Sequence, residues 1–271
     1  PVILDEVQYV PELFSYIQMS VDESGRNGEF ILTGSQNFLM MQKISQSLAG
    51  RVAIFNLLPL SLTELQNAGI TADNMYGMIL KGFYPRLYSA DLLPQEWYPS
   101  YINTYIQRDV RDILNVTDLH IFELFLKVCA GRSGQLLNQK ALANEIGVSN
   151  KTIQRWLSVL EASYIIFFLQ PYHKNFNKRL LKSPKLYFHD TGLLCNLLGI
   201  KSTSDLQLHY IQGNLFENFI LSEIVKVKQN RQLNVDLYFW RESNGIEIDC
   251  IADFGNKIQA IEIKSAQTIQ P

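Results

Sequence analysis

The chain has 271 residues, of which 47% are hydrophobic and 18% charged, and its formal net charge is −2. This composition excludes a largely disordered chain, and the length suits two or three compact units. The near-neutral charge excludes a uniformly basic surface but allows a local basic patch that binds nucleic acid. The three cysteines lie far apart without a CxxC pair, which argues against a zinc knuckle and favours a cytoplasmic location. Apolar runs are shorter than the roughly 18 residues that a membrane span needs, so we expect no membrane partner.

The first segment opens directly on an apolar run, residues 2–4, that ends in Asp5 and Glu6. Because the chain enters almost at once into a strand, we expect that another segment precedes it. Acidic residues at the carboxyl end of a parallel strand lie where an α/β sheet binds ligands. In a nucleotide site the first acid would orient Mg²⁺ and the second would polarise the attacking water. The alternative is that both acids only cap the helix that follows.

Two further apolar runs follow, at residues 30–36 and 52–60, and helical segments separate the three runs. Strand, helix, strand, helix and strand in succession is typical of a parallel sheet. We therefore predict three strands within residues 1–66.

The order of the sequences LDEVQ, ILTGSQ, SLAGR and LLPLSLTEL resembles the second half of AAA+ ATPases that carry a C-terminal domain of unknown function. The resemblance implies that Asp5 and Glu6 are the Walker B acids, with Asp5 at the Mg²⁺ and Glu6 catalytic. Thr33 or Ser35 would be the polar sensor near the γ-phosphate, and Arg51 would be either a finger supplied to a neighbouring subunit or a surface arginine. It also implies a homo-oligomer that assembles through the ATPase core.

The phosphate-binding half of such a site is missing from the chain, since the pattern GxxxxGK[ST] does not occur in its 271 residues. That loop supplies the backbone N–H groups and the lysine that hold the phosphates. We therefore expect that this chain alone neither binds nor hydrolyses ATP usefully. ATP would be a cofactor only of a longer protein that has the loop.

Residues 67–132 have the apolar spacing of helices and resemble the lid and linker of the same family. Residues 133–189 are more specific. A helix at 140–146, a turn at Gly147–Ser149, a second helix at 150–161 capped by Ser149, and a β-rich run at 164–169 are typical of a winged helix-turn-helix. After this segment, Asp190 or Thr191 is expected to cap a short apolar helix, with His189 packed at a strand end.

DNA is the partner that we expect for this segment, with docking of a protein as the alternative. The outward face of the second helix would carry donors suited to phosphates and base edges. The stretch after it, between Glu161 and Asp190, contains five basic residues and no acidic one, which would attract a polyanion. The candidate DNA-binding residues are Ser149, Asn150, Lys151, Thr152, Gln154, Arg155, Lys174, Lys178 and Arg179, and Lys182 and Lys185 complete the basic stretch.

The C-terminal segment places a glutamate, Glu217, within the apolar arc of a helix, where a carboxylate is costly unless it is paired or binds a metal. Farther on, Gly255-Asn256 separates two alternating runs, which predicts a hairpin with a two-residue turn. This turn fixes the register: Asp249 lies opposite Glu262, and Glu247 lies opposite Lys264. Opposed side chains share a face of the sheet about 5 Å apart, so the two carboxylates need a cation, for which Mg²⁺ suits oxygen ligands.

The segments GNLFEN, GIEID and IEIKS resemble the corresponding part of the ATPase family, and an Asp followed by Glu-x-Lys on a hairpin resembles the PD-(D/E)xK nucleases. The resemblance implies that Glu217, Asp249 and Glu262 are metal ligands of a catalytic site and that Lys264 is its catalytic lysine. The alternative is a structural ion cluster in a nuclease-like domain that does not cut. We thus predict an α/β multidomain chain.

The predicted parts of the chain are a partial AAA+ parallel α/β sheet, a helical linker, a winged helix and a C-terminal α/β nuclease-like (PD-(D/E)xK) domain, at residues 1–66, 67–132, 133–189 and 190–271.

Overall fold

The computed structural model describes residues 1–34, 48–71, 74–106, 119–173, 183–242 and 245–265. The chain divides into two compact units, Pro1–Asn56 and Leu57–Pro271, and each has its own hydrophobic core. Among the described residues, no helix is both long and apolar enough to cross a membrane. The structure is therefore a mixed α/β protein with more than one unit, in agreement with the coarse prediction.

The first unit contains two short parallel strands with a helix between them, β1 (Val2–Leu4), α1 (Leu13–Ser24) and β2 (Phe30–Leu32). Parallel strands need a crossover, and α1 supplies it. The helix ends at Gly25, whose φ of 61° is accessible to glycine at little cost. The buried core of this unit consists of Val7, Phe14, Ile17 and Leu48.

The prediction of a third strand at residues 52–60 is wrong. These residues form no ladder with any described strand, and the side chains of Ile54 and Phe55 are exposed. A strand in a parallel sheet is buried on both faces and hydrogen-bonded to a neighbour. The apolar run satisfied the pattern of a strand, but no described strand lies beside it to pair with.

The second unit begins with a series of helices that pack around one large core. Pro99 lies inside the helix Pro94–Tyr101, and the backbone continues from this helix directly into a π-helix at Ile102–Ile106. The helices are α2 (Leu62–Asn67), α3 (Met75–Lys81), α4 (Pro85–Ser89), α5 (Pro94–Tyr101) and α6 (Leu119–Gly131).

The two helices predicted in the middle of the chain are present as α7 (Gln139–Ile146) and α8 (Asn150–Ala162). Gly147 ends α7 with a φ of 80°, and the Ser149 hydroxyl caps α8 by accepting a hydrogen bond from the Thr152 N–H at 3.0 Å. Apolar residues at helical spacing hold α8 against the core, namely Ile153, Trp156, Leu157 and Leu160. The two helices and their connecting turn are confirmed, while their assignment to a winged helix stays a prediction.

One five-stranded sheet follows, in the order β4, β3, β5, β6, β7. Antiparallel pairing joins β3 to β4, β5 to β6 and β6 to β7, and parallel pairing joins β3 to β5. The strands are β3 (Ile166–Pro171), β4 (Lys185–Phe188), β5 (Asp236–Arg241), β6 (Glu247–Asp253) and β7 (Ile258–Ile261). The predicted domain boundary at residue 189 falls between β3 and β5, which are hydrogen-bonded to each other. The strands expected as a wing and the C-terminal strands therefore belong to one sheet.

Three helices connect β4 to β5: α9 (Thr191–Leu197), α10 (Thr203–Leu208) and α11 (Gln212–Asn230). Asp190 caps α9 by accepting from the Leu193 N–H at 2.7 Å, as one of the two expected residues. His189 is buried, and its ring packs on Phe167 with the ring centroids 4.8 Å apart. Burial lowers the pKa of His189 to about 3, which is unsuited to a general base at neutral pH.

Candidate functional site

The acids and the threonine predicted for the nucleotide site meet at the carboxyl ends of β1 and β2. The parallel register pairs Leu4 with Leu32, so Asp5 and Thr33 leave neighbouring strands at the same edge. The Thr33 hydroxyl donates a hydrogen bond to Asp5 Oδ1, and the Glu6 N–H donates to the same oxygen at 3.1 Å. The structure therefore brings Asp5, Glu6 and Thr33 together, as the strand pattern predicts.

Glu6 has a left-handed backbone conformation, with a φ of 52°. Residues other than glycine adopt this conformation at a cost of about 1–3 kcal/mol, and such residues cluster at functional sites. The side chain of Gln8 donates a hydrogen bond to Glu6 Oε2, which holds the carboxylate close to its own turn. Among the described residues, Asp91, Tyr164 and Gln232 share this positive φ.

Arg51 pairs with Asp22 of α1 in the same unit. Its Nε lies 2.6 Å from Asp22 Oδ1, and its second nitrogen lies 3.1 Å from Oδ2, which makes the pair bidentate. Both side chains are partly exposed, so this arrangement leaves the guanidinium accessible to solvent. Ser35, the other candidate sensor, lies outside the described residues.

The outward face of α8 differs in part from the predicted set. Lys151, Gln154 and Arg155 are exposed, as expected. Asn150 and Thr152 are half-buried, because Asn150 Oδ1 points into the protein and the Thr152 hydroxyl bonds the Ser149 hydroxyl at 2.8 Å. The accessible donors of α8 are therefore fewer than the sequence predicts.

The structure also changes the interpretation of the basic stretch after β3. Lys174, Lys178 and Arg179 lie outside the described residues, as does Lys182. Lys185, which we counted with them, is 4% exposed and therefore cannot contribute to a surface that attracts a polyanion. It opens strand β4, whose four residues are all buried.

The predicted register of the C-terminal hairpin is confirmed for the paired residues of β6 and β7, while the predicted pairs Asp249–Glu262 and Glu247–Lys264 lie beyond the ladder. Phe254 donates its N–H to the Lys257 carbonyl at 3.0 Å across the Gly255-Asn256 turn, and Cys250 pairs with Ile261. β7 ends at Ile261, one residue before Glu262. Beyond it the Asp249 carboxylate accepts a hydrogen bond from the Ile263 N–H at 2.7 Å, so this side chain reaches the backbone of the segment that follows β7.

Helix α11 is fixed against β4 by Asn218, which is fully buried. The Asn218 side chain accepts from the Phe188 N–H and donates to the Phe188 carbonyl, both at 2.8 Å. These two hydrogen bonds fix the position of α11 along β4. As a result Glu217, the preceding residue of α11, faces the side chains of Lys185 and Tyr187.

Glu217 has partners that offset the free-energy cost of burying a carboxylate in an apolar arc. Its Oε1 lies 3.1 Å from the Lys185 Nζ and also accepts a hydrogen bond from the Tyr187 hydroxyl. The same ammonium forms an ion pair with Glu247 of β6. Burial lowers the pKa of Lys185, but the charges of Glu217 and Glu247 outweigh it, so the pKa lies above its ordinary value and the group stays charged.

Asp249, Glu262 and Lys264 lie beside this pair. Lys264 Nζ is 2.9 Å from Glu262 Oε2, and this hydrogen bond raises the pKa of Lys264. Burial raises the pKa of Asp249 and the charge of Glu262 raises it further, although the Ile263 N–H and the charges of Lys185 and Lys264 lower it. Burial likewise raises the pKa of Glu217, and the charge of Asp249 adds to the increase. The predicted residues therefore form one charge cluster, which we call the sheet cluster: Lys185, Glu217, Glu247, Asp249, Glu262 and Lys264.

The sheet cluster does not fit a magnesium ion. The described residues contain no group of three or more His, Cys, Asp or Glu side chains placed to hold a metal. Instead each carboxylate has a hydrogen-bond or ion-pair partner from the protein: Lys185 for Glu217 and Glu247, the Ile263 N–H for Asp249, and Lys264 for Glu262. A cation would have to displace these partners, which already compensate the carboxylates.

Sequence reasoning missed Lys185 and Tyr187 as members of this cluster. A signal was present, because Lys185 and Tyr187 alternate within the strand-sized run KLYF and so point to the same face. Helix spacing could not show that this face meets Glu217, because the contact joins residues 32 positions apart in the chain. Because Lys185 was interpreted as one of several basic loop residues, its membership of the cluster was not predicted.

Comparison with known protein families divides the chain into three parts. Residues 1–66 match an AAA domain, residues 72–204 match a domain of unknown function (DUF8612), and residues 212–271 match a second domain of unknown function (DUF4143). No solved structure matches the chain.

Among curated proteins, the chain is similar to uncharacterized proteins of three bacteria. It is 28% identical to one from Mycobacterium tuberculosis and one from Mycobacterium bovis, over 98% of the chain and 59% of each relative. It is 24% identical to one from Haemophilus influenzae, over 96% of the chain and 64% of the relative. The chain thus spans about three-fifths of the length of these relatives. The AAA match, together with Asp5, Glu6 and Thr33 at one sheet edge, supports an ATPase-like module at residues 1–66.

Proposed function

We propose that the chain is the DNA-binding part of an AAA+-type ATPase and that it binds duplex DNA through the exposed face of α8. The carrying observation is the sidedness of this helix. Its apolar residues are buried, while Lys151, Gln154 and Arg155 project from the protein. A helix with one buried face and one basic, hydrogen-bonding face fits the major groove of DNA.

The short turn that precedes α8 supports this proposal. Gly147 ends α7 and Ser149 caps α8, so α8 starts directly after α7. The first turn of α8 lies at the surface. Lys151 is in this first turn, and the N–H groups and dipole of a helix N-terminus favour a phosphate there. Glu145 of α7 is paired with Arg132, and Glu161, the acid of α8, lies in its last turn, away from Lys151 and Arg155. The local charge of this face is therefore positive although the chain as a whole is slightly negative.

Replacing Lys151 and Arg155 together with alanine is expected to weaken binding to a random-sequence duplex by about tenfold or more, because two phosphate contacts are lost. The slope of log K against log salt concentration should fall by about 0.9 for each lost contact. Fluorescence anisotropy of labelled DNA with the 271-residue chain, in a titration repeated at several salt concentrations, measures both quantities.

The matched control is Arg86→Ala with Arg231→Ala, which removes the same charge from two exposed arginines elsewhere in the second unit. This control is expected to keep the affinity and the salt slope of the unaltered chain. Equal losses in the two double variants would mean that only overall charge matters. No binding by the unaltered chain would leave docking of a protein as the role of α8.

Metal-dependent DNA cleavage is the second candidate function. It is favoured by the proximity of Asp249, Glu262 and Lys264, which resembles a PD-(D/E)xK site. The ion pairs of the sheet cluster disfavour it, so we expect no cleavage of supercoiled, linear or single-stranded DNA in MgCl2 or MnCl2. Cleavage by the unaltered chain that disappears in both Asp249→Ala and Lys264→Ala would establish this second function instead.

A further inference from the structure

Lys185 lies between two carboxylates of the sheet cluster. Its ammonium contacts Glu217, which comes from helix α11, and Glu247, which comes from strand β6. These two carboxylates lie on different elements and share this ammonium, and Glu247 also lies 3.6 Å from the Nε of the half-exposed Arg241. A single buried positive charge that bridges carboxylates from separate elements performs the structural task of a bound cation.

The surroundings of Lys185 show that this position is built into the fold. The side chain is 5% exposed, and its Nζ lies 5.6 Å from the centre of the Phe239 ring. The Tyr187 hydroxyl donates to the same Glu217 oxygen as Lys185. This oxygen therefore already accepts from two donors and has no free lone pair for a metal ion. A charged lysine is almost never this buried unless its charge is compensated, and here two carboxylates compensate it.

The negative charge of the sheet cluster exceeds that of one lysine. Asp249 and Glu262 add two carboxylates, and the charges of Glu217 and Asp249 act on each other. Lys264 forms its ion pair with Glu262 at the exposed edge of the sheet, where both side chains are about half exposed, and acts on Asp249 only through its charge. Removal of Lys185 would therefore leave Glu217, Glu247 and Asp249 as neighbouring carboxylates with no buried counter-charge.

We propose that Lys185 is an internal cation that replaces a divalent metal ion, and that it prevents the sheet cluster from binding one. The claim is independent of DNA binding by α8, because it concerns residues on α11 and the sheet. Its consequence is specific: loss of this one ammonium converts the sheet cluster into a site for a hard divalent cation, held by carboxylate oxygens.

The experiment compares Mn²⁺ binding by the unaltered chain and by Lys185→Met, in which methionine keeps the length of the side chain without its charge. Isothermal calorimetry with MnCl2 is expected to show no saturable binding by the unaltered chain. Lys185→Met is expected to bind one Mn²⁺ with a Kd at or below about 1 mM, at least tenfold tighter. The matched control, Lys264→Met, removes the exposed ammonium and is expected to bind no more tightly than the unaltered chain.

A second measurement covers the case in which Lys185→Met folds poorly. Its melting temperature is expected to rise with added MnCl2, whereas that of the unaltered chain is expected to stay constant. The triple variant Lys185→Met with Glu217→Gln and Glu247→Gln should lose this response, because its oxygens no longer carry the charge. Saturable Mn²⁺ binding by the unaltered chain would overturn the proposal, and so would a Lys185→Met variant that shows neither binding nor a melting shift. Neither result depends on whether α8 binds DNA.

Discussion

Replacing Asp190 with alanine is expected to lower the free energy of unfolding of the second unit by about 4 kcal/mol. Asp190 is 1% exposed, and its carboxylate accepts three hydrogen bonds. The donors are the Phe83 N–H and the Tyr98 hydroxyl, each at 2.6 Å, and the Leu193 N–H at 2.7 Å. Alanine would leave the Phe83 and Leu193 N–H groups without this acceptor, and each such buried donor costs about 1–3 kcal/mol. The Tyr98 hydroxyl would keep only its bond to the Lys81 carbonyl, at 3.0 Å.

Urea unfolding monitored by tryptophan fluorescence measures this loss, because Trp97, Trp156 and Trp240 all lie in the second unit. The control is Asp190→Asn, which keeps one acceptor oxygen and nearly the same volume. Asparagine presents an amide to one of the three donors, so we expect a smaller loss of about 1–3 kcal/mol. An alanine variant within 1 kcal/mol of the unaltered chain would show that water or another group can replace the carboxylate.

The close packing around Asp190 explains two glycines on the elements that it joins. A Cβ on Gly192 would lie 2.2 Å from the Tyr98 hydroxyl, and a Cβ on Gly82 would lie 2.0 Å from it. Both distances are shorter than any carbon–oxygen contact allows. A side chain at position 82 or at position 192 would therefore displace the Tyr98 hydroxyl from Asp190. In the sequence, Gly82 predicts only a loop and Gly192 follows a cap, so the contact between them could not be read from the pattern.

Local patterns were sufficient where the interaction is local. The two-residue turn at Gly255-Asn256 fixed the pairing of β6 with β7, because a short hairpin leaves few alternative registers. Ser149 and Asp190 each cap the helix that immediately follows, because a side-chain oxygen needs only the N–H groups of the next turn. The turn and the Ser149 cap could be predicted to the residue, and the cap of α9 to one of two neighbouring residues, Asp190 or Thr191.

Long-range partners were not predictable in the same way. The parallel pairing of β3 with β5 joins Gln170 to Tyr238, and the chain between them contains β4 and three helices. Alternation tells which residues share a face, but it does not say which distant strand lies alongside. The partnership of Lys185 with Glu217 has the same origin. An apolar run such as residues 52–60 likewise indicates a strand without supplying the neighbour that a strand requires.

The buried pair formed by Lys226 and Glu223 gives the second large effect. Lys226 is fully buried, and its Nζ lies 2.8 Å from Glu223 Oε1 and donates to the Leu60 carbonyl at 3.0 Å. Glu223 Oε2 accepts from the Leu62 N–H at 2.8 Å. Through these contacts α11 holds the segment that leads into α2. Lys226→Met is expected to destabilise the second unit by about 3–5 kcal/mol, because it leaves a mostly buried carboxylate without its counter-charge.

The partner substitution separates the cost of an unpaired charge from the loss of packing. Adding Glu223→Gln to Lys226→Met keeps an oxygen for the Leu62 N–H and removes the uncompensated charge, so we expect the double variant to recover about half of the loss. Lys228→Met is the matched control, since Lys228 is half-buried on the same helix, and we expect a change within about 0.5 kcal/mol. Urea unfolding of the unaltered chain, Lys226→Met, Glu223→Gln and the double variant gives the coupling energy. A double variant no more stable than Lys226→Met would mean that the bond to Leu60 and the contact with the Phe83 ring, 4.0 Å from Nζ, matter more than charge.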